Sequence, residues 1–275
     1  MIRSGLLGRS ILASRSPELH EKEAAAQGLD LSYELFDFTD RGWPDEDLAA
    51  VMDKLVAEGF SGFNVTYPFK QAVVPLLDEL DESALAVGAV NTVAVRAGRL
   101  IGYNTDMAGF RGSFGDGLPG AATGRVVQLG AGGAGAAVAS ALLSLGVGRL
   151  DLIDVDAGRA SGLAADLAGR FPGCDIRSGT LADVDTANAD GIVNATPIGM
   201  NGKPGMPLDE ARVLPRHWVA DVIYFPPETE LLRIAREKGC ATMNGVGMVV
   251  GQAARAFEII TGCKADSERM AATLL

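Results

Sequence analysis

The sequence contains few of the residues from which disulfide scaffolds and metal sites are built. Its 275 residues include three cysteines, Cys174, Cys240 and Cys263, and two histidines, His20 and His217. None of them has Cys-x-x-Cys or His-x-x-x-His spacing, so a disulfide framework is excluded and no metal site is expected. We expect the cysteines to be small buried side chains in a reducing compartment.

Positive charge is also scarce. The chain has 24 Lys and Arg against 35 Asp and Glu, which gives a formal net charge of −11 and an isoelectric point near 4.7. This balance excludes nucleic acid or an anionic membrane surface as the main partner, but it leaves a small anionic substrate open. With 48% hydrophobic residues the chain can bury a large core, and its length favours two domains.

Neither a signal peptide nor a membrane helix is expected. Arg3, Arg9 and Arg15 interrupt the apolar N-terminal stretch. The one uncharged segment long enough to span a bilayer, Val126 to Gly148, contains a block of glycines that indicates strand, turn and helix instead. We therefore expect a cytoplasmic protein.

Residues 1–102 alternate between strand-like and helix-like patterns, with one antiparallel excursion. A helix is expected over Pro17–Gln27 with Ser16 as its N-cap. The expected strands are Ile2–Leu7, Tyr33–Phe38, Gly62–Thr66, and a hairpin of Val90–Val95 and Leu100–Gly102 that turns at Ala97-Gly98; two further helices are expected over Asp45–Glu58 and near Val73–Leu80.

The rest of the chain has a regular strand–helix repeat, which implies parallel pairing with right-handed crossovers. A Gly/Pro-rich patch, Gly112–Gly124, is expected to be a loop between domains. The expected strands are Arg125–Leu129, Arg149–Val155, Gly191–Asn194 and Trp218–Val222, and the expected helices are Ala134–Leu145, Ala157–Arg170 and Met248–Ile260.

Residues 125–135, RVVQLGAGGAG, are typical of a dinucleotide-binding turn. An apolar strand leads into Gly130, Gly132 and Gly135, whose spacing suits a tight turn, a close approach of pyrophosphate and close packing of helix on strand. Asp154, 19 residues after Gly135, ends the next predicted strand, where a carboxylate accepts from a ribose hydroxyl. The alternative is a glycine-rich turn with a helix-capping aspartate.

The same region favours NAD over NADP. The extra phosphate of NADP would lie near Asp154 or Asp156. One such repulsion costs about 3 kcal/mol at ~5 Å and an effective dielectric of ~20. Arg159 could still reach a phosphate, so the preference is not absolute.

Three polar clusters lie in the first hundred residues. Ser14 and Ser16 flank Arg15 before a predicted helix and suit a carboxylate, unless Ser16 is only a helix cap. Lys70, in the segment GFNVTYPFK, follows a buried strand and is either functional or a solvated loop residue. The Asn-Thr pairs of AVNTV and GYNTD, the second ending in Asp106, are otherwise ordinary turn formers.

Taken together, these motifs resemble the shikimate dehydrogenase family, including its quinate/shikimate branch. The resemblance extends from Gly5 to about Gly262. It rests on eight ordered segments: SRSPELH, GFNVTYPFKQ, GAVNTV, GYNTD, QLGAGGAG, VNATPIGM, DVIYFPPETELL and NGVGMVVGQA.

The resemblance implies a role for each matching position. Lys70 and Asp106 correspond to the catalytic pair, and Ser14 and Ser16 to the residues that hold the substrate carboxylate. Thr66, Asn91 and Gln252 correspond to the residues that bind the ring hydroxyls of the substrate, and Tyr224 corresponds to a tyrosine near the substrate. The implied cofactor-binding residues are Gly130, Ala131, Gly132, Gly133, Ala134, Gly135, Asp154, Asp156, Arg159, Ala195, Thr196, Pro197, Met200, Val222, Gly245 and Met248.

The sequence departs from the commoner pattern of the family at two places. NADP-dependent biosynthetic members usually carry an Asn-Arg-Thr-like turn where this chain has Asp154, Val155 and Asp156, which resembles the NAD-preferring branch. Ala13 stands where many members have histidine. Ser16 is typical of shikimate users, whereas quinate users often have threonine, so the substrate preference stays open between shikimate, quinate and an amino analogue.

The expected protein is an α/β enzyme with an N-terminal α/β substrate domain built on a mixed sheet and a Rossmann-type nucleotide domain. Residues 1–108 and 245–275 are assigned to the first domain, and residues 109–244 to the second. The resemblance implies an NAD-preferring dehydrogenase that interconverts shikimate and 3-dehydroshikimate, or quinate and 3-dehydroquinate, as a monomer or homodimer. The alternatives are an NADP-linked biosynthetic shikimate dehydrogenase and a non-catalytic nucleotide-responsive binding protein.

Overall fold

The computed structural model describes residues 1–274. The chain divides into two compact units, one formed by Met1–Asp106 with Val250–Leu275 and the other by Met107–Val249. Each unit has its own six-stranded sheet. No helix within residues 1–274 has both the length and the apolar composition needed to cross a membrane.

The first unit contains a mixed sheet with strand order β2-β1-β3-β5-β6-β4. β1 pairs in parallel with β2 and β3, whereas β5 is antiparallel to both β3 and β6. The strands are β1 (Ile2–Gly8), β2 (Leu31–Asp37), β3 (Gly62–Val65), β4 (Glu79–Leu80), β5 (Thr92–Arg96) and β6 (Arg99–Tyr103). The helices are α1 (Ser16–Ala26), α2 (Leu48–Ala57), α3 (Phe69–Ala72), α4 (Glu82–Val87) and α10 (Ser267–Leu274), with 3-10 turns at Asp45–Asp47 and Val74–Leu76.

The second unit contains a fully parallel sheet with strand order β9-β8-β7-β10-β11-β12. Numbered within the unit, this is the order 3-2-1-4-5-6 of a Rossmann fold. The strands are β7 (Arg125–Leu129), β8 (Arg149–Ile153), β9 (Asp175–Gly179), β10 (Gly191–Asn194), β11 (Trp218–Asp221) and β12 (Ala241–Met243). The helices are α5 (Thr105–Gly117), α6 (Gly133–Ser144), α7 (Ala157–Arg170), α8 (Glu230–Glu237) and α9 (Val246–Thr261), of which α5 and α9 each carry residues of both units.

The predicted fold class is confirmed, and so are most of the predicted elements. The segment from Val126 to Gly148 is strand, turn and helix, as the glycine block indicates. The sequence pattern did not reveal the six short elements α3, α4, β9, α8, β12 and α10. Four of the six have at most six residues, too few for a clear period.

Three local predictions are wrong. Helix α1 begins at Ser16 itself, with Arg15 in the capping position and without a capping side chain; the Ser16 N–H donates to Ser14 Oγ at 3.3 Å instead. The helix expected near Val73–Leu80 is a 3-10 turn followed by β4, because Pro75 offers no N–H and Glu79–Leu80 pairs with β6.

The third error concerns the loop expected over Gly112–Gly124, of which the first half is the end of α5. Phe110, Phe114 and Leu118 are spaced four residues apart and are all buried in one apolar cluster of the second unit. Burial of this stripe outweighs the unfavourable helix propensity of the intervening glycines, which costs about 1 kcal/mol for each.

The hairpin between β5 and β6 turns at Ala97-Gly98, as predicted. Both residues have positive φ, 51° at Ala97 and 79° at Gly98, as the tight primed turns of hairpins require. Glycine adopts this conformation freely, whereas alanine does so at a cost of about 1 kcal/mol.

We therefore expect Ala97→Gly to raise the free energy of unfolding by about 0.5–1 kcal/mol, measured by urea denaturation. Ala25→Gly, on the exposed face of α1, is the matched control and should lower it by about 1 kcal/mol. A loss of stability in Ala97→Gly would contradict the strained turn.

Candidate active site

Polar residues that are far apart in the sequence lie at one edge of the first unit's sheet. β1, β3 and β6 point the same way and β5 points the opposite way. The segments that follow β1, β3 and β6, and the residue that precedes β5, therefore share an edge. Main-chain bonds join them: Thr66 N–H donates to Leu7 O at 2.9 Å and Asn91 N–H to Tyr103 O at 3.0 Å.

Lys70 and Asp106 meet at this edge. Lys70 is the second residue of α3, and Asp106 lies in the first turn of α5. The Lys70 ammonium donates to Asp106 Oδ2 at 2.6 Å, and the two side chains are only 18% and 9% exposed. The structure therefore forms a short, largely buried ion pair from the two groups that the sequence indicates as a pair.

Ser14 and Ser16 bond to each other at the start of α1. Ser14 Oγ donates to Ser16 Oγ at 3.1 Å, and the Ser16 N–H donates to Ser14 Oγ at 3.3 Å. A chain of hydrogen bonds begins at the buried phenol of Tyr33, which donates to Asn64 Oδ1 at 2.8 Å. Burial raises the pKa of Tyr33, so the phenol keeps its proton for this bond.

The chain of hydrogen bonds continues to the helix that carries Asp106. Asn64 Nδ2 donates to Thr92 Oγ1 at 2.9 Å, and Thr92 Oγ1 donates to Asn91 Oδ1 at 3.1 Å. Asn91 Oδ1 also accepts the N–H of Thr105 at 2.9 Å. Asn91 is 3% exposed, and its amide thus fixes the residue directly before Asp106.

The loop that carries Ser14 is held by a carboxylate. Asp37, at the end of β2, is buried and accepts the N–H groups of Ser10 at 2.9 Å and Ile11 at 2.6 Å. Burial raises the pKa of Asp37, but its hydrogen bonds with backbone N–H groups outweigh burial and keep the pKa below the usual value. Of the remaining predicted residues of this unit, Thr66 and Gln252 are half-buried.

Several residues of this edge were missed by the sequence analysis. Tyr33, Asn64, Thr92 and Thr105 were given no role of their own. The Asn-Thr repeats of AVNTV and GYNTD were the available signal, because Thr92 and Thr105 are their threonines. Tyr33 gives no such signal, since its partner is 31 residues away.

The glycine turn of the second unit has the geometry that a dinucleotide needs. Gly130 has φ 98°, and a Cβ there would lie 2.7 Å from the Ala195 carbonyl. A Cβ at Gly135 would lie 2.3 Å from Gly130 O, whereas one at Gly132 would meet nothing within 4 Å. The outer glycines are thus required by packing, and Gly132 leaves the start of α6 open to an incoming group.

Asp154 is tied to this turn. Its Oδ2 accepts the N–H of Ala131 at 2.8 Å, and its Oδ1 accepts the N–H of Asp156 at 2.9 Å. Asp156 caps α7 by accepting the Arg159 N–H at 3.1 Å. The Arg159 guanidinium lies 3.3 Å from Asp154 and 3.6 Å from Asp156. Two carboxylates and one guanidinium leave a net negative charge here.

The other predicted cofactor residues of this unit, and the predicted substrate residue Tyr224, follow β10, β11 and β12 in the chain. Gly245 packs on the Val222 main chain, where a Cβ would come within 2.1 Å of Val222 O. Met200 and Tyr224 are exposed, whereas Met248 is 6% exposed within an apolar cluster of the second unit. Residues 195–197, with Ala195, Thr196 and Pro197, follow β10 directly.

Comparison with known proteins identifies the family. A family profile for the shikimate dehydrogenase substrate binding domain matches residues 6–93, and one for the shikimate 5'-dehydrogenase C-terminal domain matches residues 245–275. A shikimate dehydrogenase (NADP(+)) of an Arthrobacter species is 48% identical over 98% of this chain and 93% of its own length. The chain belongs to the shikimate dehydrogenase family.

Members named for NADP(+), such as the Arthrobacter enzyme, and members named for NAD(+) are both similar to this chain. The quinate/shikimate dehydrogenase (NAD(+)) of Corynebacterium glutamicum is 44% identical over 98% of this chain and 97% of its own length. The structure of quinate dehydrogenase from Corynebacterium glutamicum in complex with NAD has a TM-score of 0.92 at 43% identity, covering 99% and 98% of the two chains. Shikimate 5-dehydrogenase from Listeria monocytogenes, in complex with shikimate and NAD, has a TM-score of 0.90 at 29% identity, covering 100% and 96%.

One buried carboxylate of this shikimate dehydrogenase family member gives a pH-dependent stability. Asp221, at the end of β11, is fully buried. Burial raises its pKa to about 6, although hydrogen bonds from Ile223 N–H, Thr229 and Asn194 act in the opposite direction. The native state therefore holds this proton more tightly than the unfolded state, and the stability that it contributes is lost as pH rises from about 4 to about 6.

We expect the Asp221→Asn variant to be free of this loss of stability with rising pH, because an amide does not ionise. Its stability relative to the wild type should increase between pH 4 and pH 7 by on the order of 2 kcal/mol, since one unit of pKa corresponds to ~1.4 kcal/mol. Urea unfolding at the two pH values measures the difference. A difference that is independent of pH would contradict the raised pKa.

Proposed function

We propose that this protein is a quinate/shikimate dehydrogenase that prefers NAD. It moves hydride reversibly between the nicotinamide and a ring hydroxyl of shikimate or quinate, giving 3-dehydroshikimate or 3-dehydroquinate. The short ion pair of Lys70 and Asp106 is the observation that carries the proposal, because it places a buried cation and its carboxylate at the sheet edge where the polar clusters gather.

We assign the substrate to the first unit and the nucleotide to the second. In this assignment residues 1–108 and 245–275 form the substrate-binding domain, and residues 109–244 form the dinucleotide-binding domain. The hydroxyls of Ser14 and Ser16 bind the substrate carboxylate, and the bonds between the two residues keep them in place. Thr66, Asn91 and Gln252 bind the ring hydroxyls, and Tyr224 is the tyrosine near the substrate.

The glycine turn, the start of α6 and the loops after β10 and β11 hold the cofactor. The open position at Gly132 fits the pyrophosphate. Once bound, the nicotinamide supplies the hydride chemistry. The protein's own task is to place the substrate and to manage the hydroxyl proton and the charge that develops on the oxygen.

Lys70 and Asp106 perform this task. The Lys70 ammonium is held by a carboxylate at 2.6 Å, and we assign Lys70 chiefly to the stabilisation of the developing alkoxide. Asp106 orients the ammonium and hydrogen-bonds the same or the adjacent hydroxyl. Burial of the pair strengthens both interactions, because little water competes.

The preference for NAD follows from the charges after β8. Asp156 is exposed and Asp154 is buried beside it, and each repels a phosphate on the ribose. At ~5 Å and an effective dielectric of ~20, one repulsion is worth about 3 kcal/mol. Arg159 is already paired with both aspartates, which weakens its attraction for a phosphate.

Two other functions are considered. An NADP-linked biosynthetic shikimate dehydrogenase is favoured by the Arthrobacter relative's name and opposed by Asp154 and Asp156. A non-catalytic nucleotide-responsive binding protein is opposed by the Lys70–Asp106 pair, which costs desolvation and serves no purpose in a binder. The enzyme's metabolic direction, biosynthetic or catabolic, depends on which substrate it prefers.

We further propose a cytoplasmic enzyme that acts on small cyclic hydroxy acids as a monomer or homodimer, without a nucleic-acid or membrane partner. The acidic net charge of −11 and the three free cysteines within residues 1–274 support this proposal.

The function is tested by initial rates in a two-by-two comparison of shikimate and quinate with NAD and NADP, followed by the absorbance of reduced nicotinamide. We expect turnover with both ring acids and a kcat/KM that is about tenfold or more higher with NAD than with NADP. Absence of turnover in all four combinations would refute the enzyme, and a preference for NADP would refute the coenzyme assignment.

Asp156→Ser tests the source of the preference. Serine keeps an N-cap for α7 while removing the charge, so kcat/KM with NADP should rise about tenfold and kcat/KM with NAD should change by less than about threefold. Asp209→Ser is the control, because Asp209 is the exposed N-cap of the 3-10 turn Glu210–Arg212 in the same unit. It should leave kcat/KM unchanged with both NADP and NAD.

Lys70→Ala tests the catalytic pair. We expect kcat to fall by about a thousandfold or more, because the charge on the oxygen loses its partner, while the Kd for NAD measured by calorimetry changes little. Lys54→Ala, which removes an exposed lysine of α2 paired with Glu58, is the control and should keep wild-type turnover. A near-normal kcat in Lys70→Ala would overturn the assignment.

A further inference from the structure

A second buried polar network lies at the ends of β10 and β11 in the nucleotide unit. Asp221 is the last residue of β11 and Asn194 is the last residue of β10. Both are completely buried, and Asn194 Nδ2 donates to Asp221 Oδ1 at 3.0 Å. Because the strands are parallel, the loops that follow them begin side by side.

One branch of the network fixes the loop after β10. Asn194 Nδ2 also donates to Ile198 O at 3.1 Å, and Asn194 Oδ1 accepts from Thr196 N–H at 3.0 Å and from Thr196 Oγ1 at 2.7 Å. Ile198 N–H donates back to Thr196 Oγ1 at 3.1 Å. Residues 195–198 are thereby closed on the Asn194 side chain, and they include the assigned cofactor residues Ala195, Thr196 and Pro197.

The other branch fixes the loop after β11. Asp221 Oδ1 accepts from Ile223 N–H at 3.0 Å, and Oδ2 accepts from Thr229 Oγ1 at 2.8 Å. Thr229 also caps α8. Both ends of residues 222–229 are thus held by one carboxylate, and the loop contains Val222 and Tyr224.

A carboxylate is suited to this position because it only accepts hydrogen bonds. Three donors, one from each of Asn194, Ile223 and Thr229, converge on it from three segments of chain. Its burial makes it costly in the charged form. An amide in its place can keep its oxygen toward the Asn194 and Ile223 donors and donate its N–H to Thr229 Oγ1, because a hydroxyl also accepts, so the network would keep its shape.

We propose that Asp221 is a positioning residue for the reaction: it holds the tyrosine loop, residues 222–229, directly, and it holds the cofactor loop, residues 195–198, through the side chain of Asn194. This inference rests on the proposed function. It predicts that the two branches can be separated, since Asn194 bonds directly to the cofactor loop, Thr229 lies in the tyrosine loop, and the bonds described here join the two side chains only through Asp221.

The test measures KM for NAD and for shikimate, with kcat, in five variants. Asn194→Ala should raise KM for NAD about tenfold and KM for shikimate by less than about threefold. Thr229→Val should raise KM for shikimate about tenfold and KM for NAD by less than about threefold, whereas Thr229→Ser should behave as the wild type because it keeps the hydroxyl. Asp221→Ala should raise both KM values, and Asp221→Asn should leave both KM values and kcat close to those of the wild type.

Asp151→Asn is the matched control. Asp151 is a buried carboxylate of the same sheet, paired with Arg125 and Arg149 on β7 and β8, and it touches neither loop. It should lower the unfolding free energy while leaving both KM values within about twofold of the wild type. A purely structural role of Asp221 predicts the same result for Asp221→Ala.

The proposal is overturned if Asp221→Ala or both single-branch variants lose stability while the two KM values stay within about twofold of the wild type. If Asp221→Ala does not fold, Asn194→Ala and Thr229→Val decide alone. Failure of the proposed function gives a different result, in which the wild type shows no turnover with either ring acid. The Kd of NAD in Asn194→Ala, measured by calorimetry, then decides the cofactor branch without any reaction.

Discussion

The hydrogen bond from the Thr105 N–H to Asn91 Oδ1 is the constraint on which the chemistry of the first unit depends. Thr105 precedes Asp106, so this bond sets where α5 starts and where its first carboxylate lies. Asp106 in turn holds the Lys70 ammonium. A buried amide has no water to replace a lost partner, and removal of one bond leaves the other group unsatisfied. The placement of the ion pair therefore depends on the neutral network next to it, which extends from Asn91 through Thr92 and Asn64 to Tyr33.

In both units, one buried polar side chain holds the neighbouring loops in place, but the chemical group differs. In each, a buried polar side chain at a strand end collects N–H and O–H donors from the loops that carry the assigned site residues. In the mixed sheet this role falls to the neutral amide of Asn91, and in the parallel sheet to the carboxylate of Asp221. Parallel pairing explains the second case, because adjacent strands end together and two loops can share one acceptor. Antiparallel β5 explains the first, because its starting residue lies beside the end of β3.

Much of this architecture was predictable where the signal is local. Helix α7 over Ala157–Arg170 and strand β10 over Gly191–Asn194 lie where the apolar pattern and the neighbouring turns place them. Helix α5 was partly missed because its glycines indicate a loop, and only tertiary burial of Phe110 and Phe114 overrides them. In the site, motif resemblance named Lys70 and Asp106, which are 36 residues apart. It did not name Tyr33, whose contact with Asn64 depends on the order of strands in the sheet, a property that no single segment encodes.

The bond between Asp154 and the Ala131 N–H ties the charge after β8 to the shape of the glycine turn. A replacement at this position keeps the bond only if its side chain also accepts, as an asparagine oxygen does, whereas an apolar side chain would leave the Ala131 N–H without this partner. Val155 and Asp156 are exposed and do not bond to that turn. The charge of this region can therefore be redesigned at these two positions without removing a support of the turn.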